Sequence, residues 1–314
     1  MARTLKVLLT GGNGYLGEYI KKFLGTKEVE IFLLNRNNIK ELIEDKSFKS
    51  NIIPKSSSCN ILNFKFDLLI HGAAISAEDS LKYKDNIDLI NVGLTNYLAK
   101  YCQIKNTFFL FLSSVQVYGE ELNGIYSEFN KLNPCSLYSR SKAAAEKQLI
   151  SKFESNLLHG CILRIGNVVG RPITTNSSGW ELFANSAIID SIFKRKIIIR
   201  NNSNIRRNFV SIKLLEDFLN YLIIILKKDI YDLPSIINIT SNNSLTLYEF
   251  ACKIMKFNKE IFKNNVSIFL QNDLIDMVPF SNISNKKLKT LIPNSFNYEI
   301  DEIIYQTIKY YYDN

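Results

Sequence analysis

The stretch KVLLTGGNGYLG at positions 6–17 limits what this chain can fold into more than any other. Lys6–Thr10 is an apolar run of strand length and Gly14–Leu24 has helical spacing, with Gly11, Gly14 and Gly17 placed where one gives way to the other. One glycine lets the chain turn tightly, a second lets backbone approach a ligand, and a third lets helix and strand pack at short range. The helix start adds unpaired N–H groups and partial positive charge, which suit an anion. A strand, a G-x-x-G-x-x-G turn and a helix, in that order, predict a pyrophosphate cradle for a dinucleotide, built from Gly11, Asn13, Gly14, Tyr15, Leu16 and Gly17.

The alternation continues along the chain. Glu30–Leu34, Asp67–His71, Thr107–Ser113 and Gly160–Ile165 read as strands, with helices over Ile87–Cys102 and Ser136–Phe153. Thr107–Ser113 (TFFLFLS) is apolar almost throughout, as a strand covered on both faces must be. Strands alternating with helices imply parallel pairing through right-handed crossovers. The expected class is α/β, a Rossmann-type doubly wound parallel sheet with a smaller α/β C-terminal substrate domain. Residues 1–166 are expected to form the dinucleotide-binding domain, with 206–230 returning to it, and 167–205 with 231–314 the substrate-binding domain. In the second half Ala184–Arg195, Ile212–Leu226, Leu247–Lys256 and Ile300–Tyr311 have helical spacing, the third capped by Ser244 or Thr246.

Composition narrows the partners. At 314 residues, 46% apolar and 22% charged, the chain reads as a soluble globular protein with a sizeable core. Its net charge of +9 comes largely from scattered lysines, without an arginine-rich run or aromatic–basic interleaving, so no nucleic-acid partner is expected. An anionic small substrate suits the same charge. Five widely spaced cysteines without a C-x-x-C pair argue for reduced thiols in a cytoplasmic protein. His71 and His159 are the only histidines, too few for a histidine-based metal centre, and no metal is expected. Tyr221–Leu226 is too short to span a bilayer and the N-terminus reads as a strand, so no membrane association is expected.

Two further places carry chemistry. The second strand runs out into Asn35 and Arg36 with no acid. A carboxylate there would take the ribose 2′-hydroxyl of NAD, whereas an arginine accommodates a 2′-phosphate, so the reading leans to NADP over NAD. Tyr138 and Lys142 lie four residues apart, on one face of the expected helix. An ammonium beside a phenol favours the phenolate and lowers a pKa that is otherwise near ~10. The pair is a candidate proton shuttle.

Taken in order, these segments resemble the extended short-chain dehydrogenase/reductase family, the NAD-dependent epimerases and dehydratases of nucleotide sugars. The resemblance rests on TGGNGYLG at 10–17, HGAA at 71–74, NVGLTN at 91–96, LSSVQVYG at 112–119, Tyr138 with Lys142, LRIGNVVGRP at 163–172, and RNFV at 207–210. It runs over nearly the whole chain. It implies a nucleotide-sugar substrate, with Ser114 as catalytic hydroxyl, Tyr138 as acid/base, and Lys142 tuning it while holding the nicotinamide ribose. Ser114 follows a buried strand and so falls at the carboxyl edge of the sheet, where doubly wound folds bind ligands. The resemblance further implies cofactor contacts at Ala73, Ala74 and Asn91, and substrate contacts at Ser114, Gln116, Asn167 and Arg207. Ser113 and Arg206 are the neighbouring candidates for Ser114 and Arg207. A homodimer through Ile87–Cys102 and Ser136–Phe153 is implied as well.

One departure shapes the expected reaction. Relatives that eliminate water carry an acid shortly after the catalytic hydroxyl; here Val115 and Gln116 stand there, and neither accepts a proton at neutral pH. Simple hydride transfer is expected, most naturally reduction or oxidation at C4 of the sugar. The alternatives are a nucleotide-sugar 4-epimerase with tightly held NAD and a non-catalytic dinucleotide-binding sensor.

Overall fold

In the computed structural model, which describes residues 3–35, 37–40, 63–120, 122–200, 203–271, 279–295 and 300–313, the apolar runs become strands and the periodic ones helices. The strands are β1 Leu5–Thr10, β2 Val29–Leu34, β3 Leu68–His71, β4 Phe108–Ser114, β5 Gly124–Tyr126, β6 Gly160–Ile165 and β7 Asn167–Val169, then β8 Lys196–Ile199, β9 Arg206–Arg207, β10 Phe209–Ser211, β11 Ile236–Ile239, β12 Leu245–Thr246, β13 Ser267–Leu270 and β14 Ser281–Ile283. The α-helices are α1 Tyr15–Leu24, α2 Leu94–Lys105, α3 Leu137–Glu154, α4 Phe183–Phe193, α5 Ile212–Lys227, α6 Leu247–Phe262, α7 Lys286–Leu291 and α8 Ile300–Asp313.

Six strands form one sheet in the order β2-β1-β3-β4-β6-β11. β1 pairs in parallel with β2 on one side and β3 on the other, Thr10 standing opposite Leu34 and His71, and β3 pairs in parallel with β4. The chain therefore reverses its direction of travel across the sheet at β1 and β3, which makes their carboxyl ends the switch point of a doubly wound fold. β3 is buried at every residue, because helices cover both faces. On one face Leu8, Leu69, Phe109 and Phe111 pack with Leu98 and Tyr101 of α2 and Leu149 and Phe153 of α3. Removing a large side chain from such a core costs about 3–5 kcal/mol.

The chain divides into two compact units. The first comprises residues 1–120, 131–164 and 219–237; the second comprises 121–130, 165–218 and 238–314. Within the second, Ile188, Ile197, Phe250, Ile254 and Ile304 form a core of their own, in which the rings of Phe209 and Phe250 stack at 4.1 Å. Its strands form two-stranded pairs: β7 with β10, β8 with β13, β5 with β14 and β9 with β12. Thr246 is the cap of α6. Its hydroxyl accepts from Glu249 N–H at 2.9 Å and Glu249 accepts from Thr246 N–H at 2.7 Å, a reciprocal capping box.

His71 ends β3 fully buried, between two threonine hydroxyls: Nδ1 lies 2.7 Å from Thr10 Oγ1 and Nε2 2.9 Å from Thr95 Oγ1. The Thr95 hydroxyl donates to Asn91 O at 2.7 Å, so its oxygen accepts from Nε2–H, and Nδ1 accepts from Thr10. Burial, aided by the nearby charge of Lys142, pulls the imidazole pKa down to about 3. The folded ring stays neutral while an unfolded one, near ~6.5, takes a proton, so stability is full above that value and is lost as pH falls through the window below it. Chemical denaturation from about pH 7 to about pH 5 should cost the wild type about 2 kcal/mol more unfolding free energy than a His71→Asn variant. Equal losses would show that His71 is not held neutral.

Candidate active site

The glycine turn after β1 is closed to any side chain. Gly11 has φ +74°, and a Cβ there would lie 2.7 Å from Ala73 N; at Gly17 a Cβ would lie 1.9 Å from Gly11 O. Gly14 N–H donates to Gly11 O at 2.9 Å, which folds the turn over the start of α1. Asn13 and Gly14 are exposed at its tip, Leu16 is half-buried, and Tyr15 and Gly17 are packed inside. Backbone this close, at a helix start and at the switch point, fits a dinucleotide pyrophosphate.

Beside it, Ala73 N–H donates to Thr10 Oγ1 at 3.1 Å, and Ala73 and Ala74 are half-buried. Asn35 caps the turn after β2: its Oδ1 accepts from the N–H groups of Asn37 and Asn38 at 2.9 and 3.1 Å. Its side-chain NH2 is thus the group that can donate to a ribose oxygen. Arg36, expected at the 2′-position, lies outside the described residues. Asn91 is buried within a π-helical turn, Leu89–Gly93, that leads into α2. Its Oδ1 accepts from Ile75 N–H at 2.7 Å, and its NH2 donates to Ile75 O at 3.1 Å and to Ser141 Oγ at 2.9 Å. Its amide is engaged with protein on both sides.

Tyr138 stands in the first turn of α3, which Ser136 opens by accepting from Ser139 N–H at 3.1 Å. One turn on, buried Lys142 donates to Leu112 O at 2.9 Å, with its Nζ 4.7 Å from the centre of the Phe111 ring and 5.9 Å from that of Tyr138. The spacing thus brings tyrosine and lysine together against the end of β4. Ser114 is the last residue of that strand, half-buried, and its Oγ accepts from Gln116 N–H at 3.2 Å. Ser113 is committed elsewhere, donating to Glu146 Oε1 at 2.5 Å inside the core. Of the two serines, Ser114 is the one at the edge. Gln116 is half-buried in the turn that follows.

The electrostatics differ from the expectation of a lysine-lowered phenol. Burial, with the carboxylate of Glu78 adding to it, raises the Tyr138 pKa above its ordinary value. Burial also lowers Lys142 to about 8, against the pull of Glu146. Desolvation is the main cause at both groups. Tyr138 is therefore held protonated.

Asn167 and Arg207 belong to the second unit, on strands whose positions are set by Asn208. Asn208 O accepts from Asn167 N–H at 2.7 Å and from the Asn167 side chain at 3.4 Å. Arg207 is half-buried on β9, and the neighbouring Arg206 donates to Ser244 O at 3.0 Å and pairs with Glu249. Sequence reasoning missed the buried charges of the first unit, Glu146 and Arg164. The available signal was the placing of Glu146 four residues after Lys142, directly behind three alanines. Among the described residues no cluster of His, Cys, Asp and Glu could hold a metal ion, and no helix is long and apolar enough to cross a membrane.

A family model described as the NAD dependent epimerase/dehydratase family matches residues 7–239. The chain is 29% identical over 280 residues to a dTDP-D-glucose 4,6-dehydratase of Dictyostelium discoideum, a match covering 80% of this chain and 61% of that protein. It is 23% identical over 202 residues to a D-erythronate dehydrogenase of Haemophilus influenzae, covering 62% of each. The matches thus span less than two thirds of either relative's length. Among solved structures, a UDP-glucose 4-epimerase from Thermotoga maritima, in complex with UDP-glucose, shares the fold with a TM-score of 0.77 at 16% identity, over 98% of this chain and 99% of that one. With the switch-point glycine cradle in place and the match running across most of its length, the chain belongs to the NAD-dependent epimerase/dehydratase family.

Proposed function

We propose that this chain is an NAD(P)-dependent nucleotide-sugar oxidoreductase that reduces or oxidises one sugar carbon, most naturally C4, with Tyr138 as the acid/base. The observation that carries the reading is the placing of Tyr138 and Lys142 on one face of α3 against the end of β4, where Ser114 lies. A nicotinamide cofactor supplies or accepts the hydride. Tyr138, held protonated, gives its proton to the ketone oxygen as the carbon is reduced, and Ser114 hydrogen-bonds the same oxygen. In the reverse direction Tyr138 takes the proton back. Lys142 steadies the charge that forms on the tyrosine and holds the ribose. The glycine turn, Ala73 and Ala74 seat the dinucleotide, with Asn91 bracing the segment that carries them. Asn167 and Arg207 hold the diphosphate of the substrate, the guanidinium fork matching phosphate oxygens. Val115 and Gln116 supply no carboxylate beside Ser114, which favours hydride transfer alone over elimination of water.

NADP is favoured over NAD because the end of β2 offers Arg36 and the donating NH2 of Asn35 in place of an acid. The free thiols, among them buried Cys102 and Cys161, suit a cytoplasmic setting. A homodimer is the proposed assembly: the outer side of α3 carries a groove of about 450 Å³ lined by Leu132, Ala143, Ala144, Lys147 and Ile150, apolar enough for a second copy.

Tyr138→Phe should lower turnover by on the order of 10²–10⁴-fold while leaving NADPH binding near the wild-type level; normal turnover would remove the tyrosine from the mechanism. Denaturing the purified protein and identifying what it releases decides the cofactor's behaviour. An empty protein that prefers NADPH, and loses that preference with Arg36→Glu, supports a reductase; stoichiometric NAD supports an epimerase. Ala144→Glu should convert a dimer to a monomer in light scattering, and a wild type that is already monomeric refutes the assembly.

A further inference from the structure

The first unit buries a complete ion pair directly behind the candidate site. Arg164 on β6 and Glu146 on α3 are both sealed from solvent, and Arg164 reaches Glu146 Oε2 through Nη2 at 2.7 Å and Nε at 3.0 Å. The third guanidinium nitrogen, Nη1, donates to Tyr118 Oη at 2.9 Å. The other carboxylate oxygen, Oε1, accepts the Ser113 hydroxyl at 2.5 Å. Burial works against the charge of Arg164, and Glu146 and Tyr118 together more than offset it, leaving the guanidinium pKa raised. Buried pairs of this kind are often no more stabilising than apolar residues of the same volume, so stability alone is a weak reason for one here.

Its attachments are what matter. Tyr138, Lys142 and Glu146 follow at four-residue intervals along one face of α3. Lys142 bonds the carbonyl of Leu112, Glu146 bonds the side chain of Ser113, and the next residue is Ser114. Two successive turns of the helix are thus pinned to two successive residues of the strand. We propose that Glu146 is a positioning residue, which fixes the register of the Tyr138 helix on the Ser114 strand and places a negative charge one turn behind Lys142. The inference rests on the reading that Lys142 touches the dinucleotide. The groups that face Lys142 are Tyr138 and Glu146 on its own helix, His71 on β3, and Arg164 and Tyr118 behind Glu146; Glu78 acts on Tyr138. Of these, Glu146 is the carboxylate that favours the ammonium.

NADPH binding, followed by its fluorescence from about pH 6 to about pH 10, tests this without a substrate. The wild type should show a limb with a midpoint near 8, where Lys142 loses its proton, and Lys142→Met should lack it. Glu146→Gln should move that midpoint down by about one pH unit, whereas Glu146→Asp, which keeps the charge, should retain it. If Glu146→Gln leaves Arg164 unpaired and fails to fold, Glu146→Leu with Arg164→Met removes the pair together and should show the same downward shift. An unchanged midpoint in either folded variant overturns the proposal. A Lys142→Met protein with the wild-type pH profile instead overturns the cofactor contact on which it rests.

Discussion

The ends of β1 and β3 lie so close that nothing larger than glycine fits at position 11, and the dinucleotide unit is organised around that approach. The contact is locked from beneath. Thr10 Oγ1 accepts from Ala73 and donates to His71, His71 donates to Thr95, and Thr95 donates to Asn91 O. The Asn91 amide donates to Ser141 Oγ, and Ser141 donates to Tyr138 O. A hydrogen-bonded chain therefore runs from the glycine turn to the first turn of α3. Each link is buried or half-buried, so breaking one leaves a polar group unpaired at a cost of about 1–3 kcal/mol. The glycine turn and the helix of Tyr138 are held as one piece.

The same unit holds four titratable side chains whose states are decided by different balances. At His71 and Tyr138 burial is the main cause and a nearby charge adds to it, Lys142 acting on the imidazole and Glu78 on the phenol, so both stay neutral. Lys142 has Glu146 one turn away, but burial prevails and brings it to about 8. Arg164 has the same carboxylate in direct contact, and there burial is again the largest cause, but the charge and hydrogen bonds of Glu146 and Tyr118 together outweigh it.

Much of this was legible in the chain. β1, the glycine turn, β3, β4, α3 and β6 lie within a residue or so of where periodicity put them, because each is long, apolar and bounded by turn residues. The helix expected over Ile87–Cys102 is instead a π turn, Leu89–Gly93, followed by α2, since Asn91 bends inward to bond Ile75 and Ser141. β8, β13, β12 and the short pair β5–β14 were not visible, for each is defined by a partner far away in sequence. Lys196–Ile199 becomes a strand through Ser267–Leu270, about which its own residues say nothing. Glu146 was missed for another reason, its spacing from Lys142 being the one faint signal. A glutamate flanked by alanine and lysine reads as a solvated helix face, and only an arginine from another strand makes it a core residue.

The second unit solves its positioning problem without charge. Asn208 is buried, and its Oδ1 accepts from Ser241 N–H at 2.8 Å and from the Ser241 hydroxyl at 3.2 Å, while its NH2 donates to Ser241 O and Asn282 Oδ1. Its carbonyl then takes the backbone of Asn167. Asn282 and Asn285 in turn hold the carbonyls of Asn242 and Thr240. An amide both donates and accepts, so one asparagine can satisfy several loops at once where a carboxylate could only accept. Asn208 thereby joins the strand of Asn167 to the one that carries Arg207, so a neutral network sets the spacing between the two strands. A substitution at Asn208 would thus act on both strands together.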